Sequence, residues 1–72
     1  MKKQIFINGW LVSVISDGYG KEENLLELGL KKPDNVELNC WKIKGWLSFS
    51  DVLELLEKIA ENPLKVYANL SE

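Results

Sequence analysis

The sequence predicts an α+β domain: a mostly antiparallel sheet of four to five strands with one helix packed on one face. Three observations carry that expectation. Asn8-Gly9 stands between Ile5-Phe6-Ile7 and Trp10-Leu11-Val12, the pairing of a two-residue turn with flanking β-formers that marks a hairpin. Residues 49–61 (FSDVLELLEKIAE) repeat apolar side chains at helical spacing behind a serine. Several other segments alternate apolar and polar residues at the period of a half-buried strand. A single helix among such strands is covered most simply by one sheet.

The hairpin spans residues 3–16, and a two-residue turn sets Ile7 opposite Trp10 and Phe6 opposite Leu11. In its second strand Trp10, Val12 and Val14 share one face, Leu11 and Ile15 the other. Apolar residues on both faces predict a central strand covered on both sides. Asp17-Gly18-Tyr19-Gly20 then turns the chain. Residues 21–32 fit a strand or a short helix; the alternation of Leu26, Leu28 and Leu30 favours a strand near 24–30. Lys31 to Asn35 reads as a turn, and Val36, Leu38 and Cys40 open a strand near 36–43.

The helix, about 49–61, has Ser48 as N-cap with Asp51 at N3, an acidic variant of the capping box. Leu47 and Val52 take the positions of a hydrophobic staple. Phe49, Val52, Leu53, Leu56, Ile59 and Ala60 form its apolar stripe, and Glu54 precedes Lys58 by four positions on the wet side. Asn62-Pro63 ends it. Leu64, Val66, Ala68 and Leu70 alternate with polar residues or tyrosine and predict a last strand near 64–70.

Seventy-two residues make one domain, 1–72, near the lower size limit for unaided folding. The formal charge of −2 gives no drive toward nucleic acid or an anionic membrane. All nine basic residues are lysine, so the bidentate fork of arginine is missing, and there is no histidine to act as a near-neutral base. One cysteine permits no internal disulfide, which favours a reducing cytoplasm. Met1-Lys2-Lys3 before an apolar run imitates a signal peptide, but Asn8-Gly9 interrupts that run and no small-residue cleavage site follows. The segment is therefore read as part of the fold.

Catalytic signatures are lacking. Gly18-Tyr19-Gly20-Lys21 has Glu22 where a phosphate-binding loop needs Ser or Thr, and Glu23 where a dinucleotide loop needs its third glycine. Cys40 has no histidine to activate it and is expected as a small buried hydrophobe. Glu57 and Glu61 fall on the wet helix face, where solvation explains them. No catalytic, cofactor-binding or metal-binding residue is assigned, and the chain is expected not to be an enzyme.

Asn39 to Trp46 (NCWKIKGW) concentrates two tryptophans, two lysines and the cysteine. If the strand is regular, Lys42 and Lys44 fall on the helix side and Trp41 and Ile43 on the opposite face; a bulge near Cys40-Trp41 reverses this. Trp41 is compatible with core or interface, whereas Trp46 is expected to close over the helix start as core. The expected function is a small protein-binding module, of the kind represented by phage or mobile-element inhibitors, immunity proteins and regulators. It would occlude a partner protein through the helix-free sheet face. Its partner-binding residues would be Trp10, Trp41 and Ile43 as anchors, with Lys42 and Lys44 as a charged rim. The alternatives are a homodimer closed by that face and a single-stranded nucleic-acid binder using Trp and Lys of residues 41–46.

Overall fold

The computed structural model describes residues 2–33 and 41–70. Four strands follow one another as an antiparallel meander in the order β1-β2-β3-β4: β1 (Lys2–Ile7), β2 (Trp10–Ile15), β3 (Leu26–Lys31) and β4 (Trp41–Leu47). A 3-10 turn, Lys21–Glu23, lies between β2 and β3, and two helices, α1 (Phe49–Glu61) and α2 (Pro63–Asn69), follow β4. This is the α+β class with four strands and a second helix. The predicted turn at 31–35 and strand at 36–43 fall partly on residues 34–40, outside the described residues; so do Cys40 and its expected burial.

The hairpin forms in the expected register, with Ile7 opposite Trp10 and Phe6 opposite Leu11. Its turn residues take positive φ, 51° at Asn8 and 84° at Gly9, which asparagine and glycine tolerate best. β2 pairs with β1 and β3 and is therefore central. Only one of its faces lies deep in the core: Trp10, Val12 and Val14 are buried, while Leu11, Ser13 and Ile15 are half-buried.

Helix α1 begins and ends as the sequence indicates. The Ser48 hydroxyl accepts from Asp51 N–H and the Asp51 carboxylate accepts from Ser48 N–H, both at 3.1 Å. Lys58 and Glu54 pair at 3.6 Å on the exposed side. The stripe is rotated relative to expectation: Val52 and Ile59 are buried and Leu55 and Leu56 half-buried, whereas Phe49, Leu53 and Ala60 are exposed.

The predicted final strand is instead α2. Asn62 ends α1 and starts the next helix, its side-chain oxygen accepting from Lys65 N–H at 3.3 Å, with Pro63 in the first turn. Proline there sacrifices an N–H that has no intrahelical acceptor anyway, so Asn-Pro is as good a helix start as a helix stop. Val66, Tyr67 and Leu70 face inward at helical spacing and leave Leu64 and Ala68 in solvent.

The core lies between the sheet and the helices: Trp10, Val12, Val14, Leu28, Leu30, Leu47, Val52, Ile59 and Leu70. Val12, Leu28, Leu30 and Ile59 are fully buried or nearly so. Each contributes about 1.5–3 kcal/mol by leaving water. None of the described helices is long and apolar enough to cross a membrane.

Candidate functional site on the helix-free sheet face

Residues paired across an antiparallel ladder share a face, so the registers define what the open side of the sheet presents. Its first row is Phe6, Leu11, Lys31 and Trp41. The second is Gln4, Ser13, Gly29 and Ile43, and the third is Lys2, Ile15 and Glu27. Apolar side chains on the face that carries no described helix thus come from β1, β2 and β4, with Gly29 of β3 between them.

Gly29 explains the posture of Trp41. A Cβ placed on Gly29 would lie 3.1 Å from Trp41 Cε3 and 3.4 Å from Cζ3, so the indole ring lies across the glycine of the neighbouring strand. The glycine sacrifices strand propensity to admit the ring, and the ring covers backbone that would otherwise be bare. Trp41 is consequently half-buried, neither core nor free in solvent. Trp41, Ile43, Ile15, Ser13, Gly29 and Glu27 line an open hollow of about 420 Å³ on this face.

Among the five residues anticipated as partner-binding, Trp41 and Ile43 occur together here. Trp10 does not join them: it is 8% exposed on the helix side and packs against Tyr67, with ring centroids 5.4 Å apart. Its even position in β2 puts it with Val12 and Val14, so the expectation of one face shared by both tryptophans is corrected. Lys42 and Lys44 pair with Leu30 and Leu28 and therefore also point to the helix side. Lys42 Nζ stands 4.8 Å from the centroid of the Tyr67 ring, and Lys32 Nζ 5.4 Å from it. Between Trp41 and Lys44 the strand is regular. Its lysines escape the core because they lie at the margin of the sheet.

Trp46 is not core; it is 52% exposed. Leu28 faces Lys44 and Leu26 faces Leu47, so Gly45 and Trp46 together oppose Glu27, and the extra residue makes a bulge. Without it, alternation would send Trp46 beneath the helices and Leu47 to the open face. With it, Leu47 enters the core as the staple partner of Val52, and Trp46 is turned out at φ 54°. The loop after β2 receives it: Trp46 N–H donates to Tyr19 C=O at 3.2 Å, and the Tyr19 and Trp46 rings stack with centroids 5.4 Å apart. Tyr19 N–H in turn donates to the Glu27 carboxylate at 3.2 Å.

Phe6, Leu11, Ile15 and Gly29 belong to the open face and were not singled out from sequence. Gly29 inside a leucine alternation was the available signal, since a strand glycine marks a close approach. A larger hollow of about 620 Å³ separates α1 from α2. Its charged liners, Lys58, Glu61 and Lys65, are exposed side chains. Among the described residues no three Cys, Asp or Glu side chains gather as metal ligands would. No family model matches the chain, and no curated protein or solved structure matches it significantly.

Proposed function

We propose that the protein is a small non-enzymatic protein-binding module whose helix-free sheet face covers the surface of another protein. The observation that supports this reading is the set of half-buried Leu11, Ile15, Trp41 and Ile43 on a face over which no described element packs. A large side chain lying flat, already held against Gly29, loses little freedom on binding, which is why tryptophan anchors so many interfaces. Lys2, Lys31, Asp17 and Glu27 around the patch supply mixed charge for orientation. Trp10, Lys42 and Lys44 drop out of the proposed contact set because they point to the other side. The separation of Trp41 from Lys42 and Lys44 also weighs against a platform that stacks bases and tracks phosphate on one face.

Small size and a lysine-rich, arginine-free composition support a place among inhibitor, immunity-type or regulatory proteins of phage or mobile elements. The single cysteine supports a cytoplasmic address. Affinity capture from source-cell lysate, comparing the wild type with Trp41→Ala and Ile43→Lys, tests the reading. A protein retained by the wild type and lost with both folded variants is the expected result. Identical profiles from three folded proteins exclude this face.

A further inference from the structure

The two margins of the sheet are treated differently. β4 carries Lys42 and Lys44 pointing to the helix side and a bulge at Gly45-Trp46, both devices that discourage a further strand. β1 has neither beyond its first two residues: Ile5, Phe6 and Ile7 run unbroken, and nothing among the described residues pairs with its outer side. Ile5 is 42% and Phe6 74% exposed. The two-residue turn makes Ile7 and Trp10 a hydrogen-bonded pair, so Ile5 and Lys3 also bond to β2, and the N–H and C=O groups of Lys2, Gln4 and Phe6 point outward.

The helix layer is unfinished at the same margin. Phe49, Leu53 and Ala60 fall within about 40° of one another on a helix of 3.6 residues per turn. The opposite flank of α1, with Asp51, Glu54 and Lys58, shares a hollow with Lys44 and Trp46 and so faces β4. The exposed Phe49 row therefore lies on the β1 side, and the Asn8 side-chain amide, donating to Ala60 C=O at 2.9 Å, ties it to the β1–β2 turn.

We propose that a second copy of this chain pairs antiparallel with β1 about a two-fold axis at Gln4, continuing both layers. This inference shares Lys2 and Phe6 with the margin of the open face but does not use its Trp41–Ile43 patch. A two-fold axis normal to the sheet keeps open faces together, so Gln4 pairs with Gln4, Lys2 of each copy meets Phe6 of the other, and Lys3 meets Ile5. No lysine faces a lysine, and each Lys2 ammonium reaches an aromatic ring. Centring on Lys3 would oppose like charges directly. Specific interfaces bury about 1,200 Å² or more in total. A short ladder alone falls below that, which places the expected Kd at the weak, micromolar end. The sheet becomes eight-stranded, with a Trp41 patch toward each end.

Sedimentation equilibrium of the full chain up to about 100 μM, a hundredfold above a micromolar Kd, reads the mass directly. A doubled mass is expected. Phe6→Lys sets lysine against Lys2 and returns the monomer, and adding Lys2→Glu to it restores the dimer. Trp41→Asp, at the far margin, leaves the dimer intact. Gln4→Cys in a Cys40→Ser background forms an intermolecular disulfide on mild oxidation, since hydrogen-bonded partners stand about 5.5 Å apart between Cα atoms. The corresponding Ser13→Cys chain, one strand inward, does not. Circular dichroism checks that each variant is folded. A wild type that stays monomeric, a dimer indifferent to Phe6→Lys, or one dissociated by Trp41→Asp overturns the proposal.

Discussion

Trp46 is held where an L-residue is costly. A left-handed conformation costs about 1–2 kcal/mol outside glycine, and the φ of 54° at Trp46 falls in that region. Stacking on Tyr19 returns about 0.5–1.5 kcal/mol, and the Trp46 N–H bond to Tyr19 holds the backbone in place. Replacing the indole separates the two effects. Trp46→Gly and Trp46→Ala both lose the stack, but only glycine relieves the backbone, so urea denaturation should find Trp46→Gly more stable by about 1 kcal/mol. Equal midpoints and slopes would mean that the bulge does not impose the conformation. The outward turn of Trp46 is a consequence of register, because one extra residue in β4 exchanges it with Leu47.

Among the elements, α1 is the one whose evidence is local. Its capping box, staple and i,i+4 ion pair involve residues at most five apart, and all are present in the structure. Ser48→Ala should cost about 1 kcal/mol through the lost cap. Ile59→Ala, which leaves a void against the sheet, should cost about 2–5 kcal/mol. Thermal unfolding of both variants checks the ranking, and a reversal would place the weight of α1 at its cap instead of its buried face. The sequence of α2 fits two periods at once for a similarly local reason. Leu64, Val66, Ala68 and Leu70 satisfy a period of two, while Val66, Tyr67 and Leu70 satisfy helical spacing. Seven residues are too few to separate the two periods. What decides for the helix is packing: Tyr67 covers Trp10 and Leu70 joins the core.

At the scale of the whole molecule, one sheet has one deeply buried face and one shallow face. Leu28 is fully buried under the helices, and Ile43, one strand away, is half-buried on the open side. Leu28→Ala should therefore cost about 2–5 kcal/mol, and Ile43→Ala less than about 1.5 kcal/mol, since its side chain has less burial to lose. Chemical denaturation of the two variants measures the difference. Comparable losses would show that the open face supports the monomer as much as the helix side does.

The sequence by itself determined the hairpin and its pairing, the limits and cap of α1, and that Trp10, Val12 and Val14 share one face of β2. In each case the determining residues are neighbours along the chain or along one strand, so turn chemistry and periodicity suffice. It also narrowed β4 to two registers, one of which put Lys42 and Lys44 on the helix side. Only the tertiary structure decided which register holds, that the bulge falls at Gly45-Trp46, that residues 63–69 are helical, and that Trp10 and Trp41 face opposite ways. Those outcomes depend on what packs across the chain: Gly29 beneath Trp41, the Tyr19 loop against Trp46, and Tyr67 over Trp10. A two-fold periodicity assigns alternate sides, but it does not say which side a helix will cover or where a loop from elsewhere will shift the count.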